Sequence, residues 1–154
     1  MPIDSHTLSY LTRLIHVAAM AILLGGSWSI WFVLALRAGD GAAQVSLSAL
    51  MQYERLAWIA LGLLALTGVG NLGVFGVFLP ESGTAWGQKL TAKLVLVLIL
   101  LALSIYRSFA VVAIRLQAHP EGPSKPLARL RILYAATGLM GAAILALAVS
   151  LSHG

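Results

Sequence analysis

The stretch Tyr10-Leu-Thr-Arg-Leu-Ile-His-Val-Ala-Ala-Met-Ala-Ile-Leu-Leu-Gly-Gly26 decides the fold class, because it runs on, almost wholly apolar, to Leu36. A helix advances about 1.5 Å per residue, so about 20 such residues cross a hydrocarbon core of about 30 Å. Three further segments meet that length: Leu56–Leu79, Leu94–Ile114 and Ile132–Leu151. Lipid offers no partner to a backbone N–H or C=O, so each span must be helical, and short connections imply alternating directions. The expected fold is all-α: an integral membrane four-helix up-down bundle, with residues 1–154 forming a single membrane domain. The first apolar run is too long for the h-region of a signal peptide and reads as a span.

Composition agrees. The chain is 60% hydrophobic and 10% charged with a mean hydropathy of +0.93, outside the balance of soluble globular domains. Cysteine is absent, which excludes disulfides, thiolate metal sites, iron–sulfur clusters and covalent c-type haem. His, Met, carboxylate and backbone oxygen remain as ligands. The net charge of +5 lies beside the spans without an aromatic–basic recognition surface, so it speaks for contact with the lipid bilayer and for topology, with no nucleic acid as partner. Arg37, Arg55, Arg115, Lys125, Arg129 and Arg131 cluster around the connections after the first and third spans, whereas the other side holds Arg13, Lys89 and Lys93 with Asp4 and Glu81. Basic residues stay cytoplasmic, so both termini are expected outside, periplasmic if this is a bacterial inner-membrane protein. Gln117–Pro126, with three prolines and a glycine, is a loop, and its His119 is solvated.

An ionisable ring at membrane depth is costly unless something uses it, which singles out His16. Helical spacing places Thr12, His16, Met20 and Leu23 on one stripe with Arg13 alongside. Counting inward from Arg37 and Arg131 sets His16 and His153 at similar depth, as two axial ligands of one haem iron require. The plainer alternative has His16 hydrogen-bonded to a neighbouring helix and His153 at a frayed end. On the fourth span Gly138, Ala142, Ala146, Val149 and His153 share a face whose small residues permit close approach of a helix or a flat macrocycle. On the second, Gly62, Val69, Gly73 and Gly76 share a face that could also join two copies into a homodimer. Thr67 and Asn71 lie nearly opposite, and Asn71 should point into the bundle, since its amide needs a partner on a neighbouring helix or a ligand. Lys89 and Lys93 either snorkel to headgroups or, for Lys93, project inward and offer a cation to a propionate, to Glu81 or to an anionic substrate. Arg107, about two turns from Arg115, is either a long snorkeller or a buried partner.

Several short motifs carry a resemblance. Tyr53-Glu-Arg55 entering the second span, Leu66-Thr-Gly68 within it, Trp86-Gly-Gln-Lys-Leu-Thr-Ala-Lys93 opening the third and Tyr106-Arg107 later in it resemble the copper resistance protein D (CopD) domain. His16 followed by Gly25-Gly26 is similar to the His and Gly-Gly helix that precedes that domain. The resemblance covers nearly the whole chain and implies a membrane protein associated with copper, with His and Met as ligands; larger members carry helices this chain lacks. HemJ-type membrane protoporphyrinogen oxidases are also similar over the first and third spans, where His16 and Lys93 match a haem-associated His and Lys, although the His expected just before that Lys is Thr91 here.

Three functions follow as expectations. In the first, Cu(I), a soft ion suited to thioether and imidazole, is bound, passed on or moved at the outer face by His16, Met20, His153 and His6 or Met1, with a periplasmic copper carrier as partner. In the second, haem b lies between the first and fourth helices with His16 as axial ligand, His153 as a second ligand and Lys93 near a propionate. Asn71 and Arg107 complete the cofactor-binding candidates, and the partner is a membrane redox protein. The third is a cofactor-free structural or assembly subunit. An enzymatic role, if there is one, would be that of a membrane oxidoreductase.

Overall fold

The computed structural model describes residues 4–36, 47–73, 83–116 and 124–152. They form four helices: α1 Ser5–Leu36, α2 Leu47–Gly73, α3 Ala85–Leu116 and α4 Ser124–Ser152. All four are long and apolar enough to cross a membrane. Tyr53 of α2 bonds Leu23 and Ser27 of α1, while Thr67 of α2 bonds His16 of α1. Residue numbers thus rise along one helix as they fall along the next. Met51 with Arg115 and Glu54 with Arg107 repeat the pattern across α2 and α3, and α4 follows α3 and packs on it and on α1, completing the up-down-up-down bundle.

Ser5 and Ser152 mark one end of the bundle, here the terminal end; Leu36, Leu47, Leu116 and Ser124 mark the loop end. Helix α1 packs closely on α2 and α4, and α3 packs on α4. The α2–α3 seam is thinner and is bridged by long side chains: Glu54 to Arg107, Trp58 to Ser108, and Arg115 to Met51.

Lipid as solvent explains which residues lie where. Leu66, Val69, Leu98, Phe109 and Leu139 are exposed, whereas Ser27, Glu54, Thr67, Ser104, Arg107 and Thr137 are buried. Hydrocarbon accepts Leu as readily as a protein interior does, so burial gains little for apolar groups, while polar groups must find partners inside. Close backbone approach does the rest. A Cβ on Gly26 would overlap the Tyr53 ring, one on Gly138 would meet Trp28, and one on Gly141 would meet Leu24.

The helices depart from the apolar segments in two ways. First, each is longer, and α2 begins at Leu47 instead of Leu56, placing Glu54 inside a span. An apolar run ends at its first charge, but backbone hydrogen bonding does not, and Glu54 is neutralised by Arg107. Residues 74–79 of the expected second span lie outside the described ones. Second, the faces rotate. On α4 it is Leu130, Tyr134, Thr137, Gly138, Gly141 and Ile144 that turn inward, while Ala142, Ala146 and Val149 are exposed. On α2, Val69 is exposed and nothing lies within reach of a Cβ on Gly62. Of the small-residue stripe expected on α4, Gly138 lies against Trp28 of α1, and Gly141, which is not on that stripe, lies against Leu24.

Candidate functional site

Polar groups gather at two levels of the interior, about 20 Å apart along α2 from Thr67 to Glu54. At the terminal-end level, His16 of α1 is half-buried and its Nδ1 lies 2.7 Å from Oγ1 of Thr67. The Thr67 hydroxyl sits 2.6 Å from the carbonyl of Leu63 and 3.3 Å from that of Leu64. Carbonyls only accept, so the single hydroxyl proton goes to Leu63 and the oxygen accepts from His16 Nδ1–H. The ring is therefore held in the tautomer that leaves the Nε2 lone pair free, as a second-shell partner does for a metal-ligating histidine.

Met20 stands one turn further along α1, on the same stripe as His16 and partly buried, with Leu23 fully buried beneath. Lys93 of α3 is half-buried. It continues the inward stripe of Leu100, Ser104, Arg107 and Val111 at spacings of three and four, and it lies within electrostatic range of His16. The structure thus brings His16, Thr67, Met20 and Lys93 to one level. His6 it does not bring there: that residue is exposed and about 15 Å from His16 along α1. His153 lies outside the described residues, as does the side chain of Asn71 in the last turn of α2. Among the described residues no three His, Asp or Glu side chains converge.

The loop-end level is built on Arg107, which is fully buried and paired with Glu54. Its place is the second of the two open to it, a buried partner and not a snorkeller, and it sits apart from His16. Arg107 Nε and Nη2 donate to Glu54 Oε1 and Oε2 at 2.7 and 3.3 Å, and Nη1 donates to Thr137 Oγ1 at 3.1 Å. The guanidinium carbon lies 5.5 Å from the Tyr53 ring centroid and 4.9 Å from that of Tyr134, within cation–π range. Tyr134 donates to Glu54 Oε1 at 2.8 Å, and Ser108 donates to Oε2 at 2.6 Å. Four donors fill the carboxylate's acceptor sites. Ser108 in turn accepts from Trp58 Nε1 at 3.0 Å. Tyr53 donates to the Leu23 carbonyl at 2.9 Å and so accepts from Ser27 at 2.7 Å. All four helices are joined through this one network.

Glu54 was legible only as part of a motif. Its signal was an acid near the membrane boundary with a basic residue, Arg107, in the next span at matching depth, and a buried charge demands such a partner. Placing the start of the second span after Arg55 hid it.

Neither a curated protein nor a solved structure matches this chain. The family model for copper resistance protein D matches residues 47–151, well over half of the chain, from the first residue of α2 to the last turn of α4. Glu54, Thr67, Lys93, Arg107 and Tyr134 fall within the match, while His16 and Met20 precede it. With four apolar helices of spanning length, the chain is a multi-pass membrane protein that belongs to the copper resistance protein D family.

Proposed function

We propose that this protein binds Cu(I) at the terminal end of the bundle, through His16 Nε2 and Met20, and passes it between a carrier outside the membrane and the membrane domain. The observation that supports the reading is the His16–Thr67 hydrogen bond, which fixes the imidazole and leaves its second nitrogen unshared. An imidazole nitrogen and a thioether are the borderline and soft donors that Cu(I) accepts. Copper is substrate here, held by few protein donors and so released readily to another ligand. Family membership supports the choice of copper, and the excess of arginine at the loop end supports a terminal end that faces outward.

The test uses purified full-length protein and its variants, matched for folding. His16→Ala should abolish stoichiometric copper, and His119→Ala should leave it intact. Full copper retention by His16→Ala would overturn the site. A Soret band in the purified protein would select haem b instead, with His16 as axial ligand. The chain has no cysteine, so orientation can be read from single cysteines. One at Ser82 should react with an impermeant reagent in intact cells and one at Ser124 should not; the reverse would put the site on the inner face.

A further inference from the structure

Resting on the copper reading, we infer that the His16 site takes Cu(I) together with an anionic ligand, not as the bare cation: copper enters as an anionic complex such as a dihalide or a bis-thiolate. The argument is one of charge. His16, with Nδ1–H given to Thr67, offers a neutral nitrogen, and Met20 offers a neutral sulfur. Neither cancels the charge of the ion.

The charged side chain that α3 brings within electrostatic range of His16 is a cation, Lys93, and Arg13, one turn before His16 on α1, is a cation as well. Two observations put Lys93 at this level besides its electrostatic range to His16. Leu100, Ser104, Arg107 and Val111 define the inward stripe of α3, and Lys93, seven residues before Leu100, lies on it and is half-buried. The antiparallel register set by Glu54 with Arg107, carried along both helices, sets Lys93 opposite position 68 of α2, next to Thr67. Among the described carboxylates, Asp4 is exposed and about 18 Å from His16 along α1. Glu54 is about 20 Å from Thr67 along α2 and already has four donors.

A monovalent cation brought to neutral donors beside an ammonium in a low-dielectric medium meets repulsion that water would have screened. A Cu(I) ion that retains one anion is neutral, and the anion faces Lys93. The exchange balances without a redox step. The anionic complex gives up one of its two anions to solution, His16 Nε2 and Met20 sulfur bind, and the second anion stays, so that copper passes from two to three ligands with no change of oxidation state. Lys93 then acts as the selector for copper in anionic form.

Bromide makes the retained anion visible, because a copper–bromine neighbour is distinguishable from nitrogen and sulfur by X-ray absorption. Full-length protein is loaded anaerobically with Cu(I) in bromide, washed, and analysed for copper content and for the copper environment. Wild type should hold one copper with one bromine neighbour. Lys93→Arg should keep that neighbour, and Lys93→Gln should lose it while still binding copper. Copper bound without bromine in wild type, or bromine kept in Lys93→Gln, overturns the inference and leaves the His16 site standing. No stoichiometric copper in any folded variant overturns both. Thermal unfolding in detergent identifies any variant that has lost its fold.

Discussion

The loop-end cluster and the terminal-end cluster both place polar groups inside a membrane bundle, yet one is closed and the other open. Around Glu54 every acceptor has a donor, the charges cancel, and all four helices are tied together. Around His16 a ring nitrogen is left over and Lys93 has no opposite charge beside it among the described residues. A saturated network in a medium without water has nothing left with which to bind a ligand, so its role is to hold the bundle. Unspent valence at membrane depth costs stability, and that cost makes sense where a ligand supplies the missing partner. Buried polarity alone therefore does not mark a site; a ligating nitrogen left unshared beside an unneutralised charge does.

The largest expected effect breaks the closed cluster. Arg107→Leu leaves Glu54 buried with an uncompensated charge and should destabilise the protein by about 3–5 kcal/mol, whereas adding Glu54→Leu should restore much of that loss. Thermal unfolding of both variants in one detergent checks it. A double variant no better than the single would mean that Tyr134, Thr137 and Ser108 depend on the pair for more than charge balance.

Next comes the packing that brings Tyr53 to Ser27. Gly26→Ala must displace the Tyr53 ring and should cost about 1–3 kcal/mol. Gly25→Ala, whose Cβ would meet nothing within 4 Å, should stay within about 0.5 kcal/mol of wild type. Equal effects would show that Tyr53 is free to move and that α1 is not clamped by the network.

Thr67→Val sharpens the comparison from the other side. Removing one neutral hydrogen bond should cost only about 1 kcal/mol of stability, but freeing the His16 ring should weaken copper binding by about 10–100-fold. Competition with a chromophoric Cu(I) chelator measures it, and unchanged affinity would reduce Thr67 to a packing residue. The smallest effect has the opposite sign. Ser104 carries a buried hydroxyl with no hydrogen-bond partner, so Ser104→Ala should leave stability unchanged or raise it by about 1 kcal/mol. A clear loss in the same unfolding assay would place Ser104 inside the network.

Much of the architecture could be read from the residues. Four apolar runs of spanning length become four helices because the bilayer removes every alternative way to satisfy the backbone, and their order in the chain requires them to alternate in direction. The stripe Thr12, His16, Met20, Leu23 turns inward, as a polar ring among apolar residues must. The small-residue faces proved far less legible, since Gly and Ala fit against lipid as well as against a helix. Gly26, Gly138 and Gly141 are distinguished from Gly25 and Gly62 only by what stands opposite them.

The sequence by itself determined that this is a membrane bundle of four helices, that it belongs with copper-associated membrane proteins, and that His16 is the ionisable ring inside a span. The first and the last follow from composition and local period, which a chain carries whatever its neighbours are, and the copper association follows from the resemblance of its short motifs to a known family. Only the tertiary structure decided that Glu54 and Arg107, 53 residues apart, neutralise each other, that Tyr134 and Ser108 complete the carboxylate's shell, and that Thr67 fixes the tautomer of His16 while Lys93 shares its level. Pairing of charges and assignment of a hydrogen depend on distances of about 3 Å between helices, and such distances are set by which side chains interlock across the bundle, not by any one helix alone.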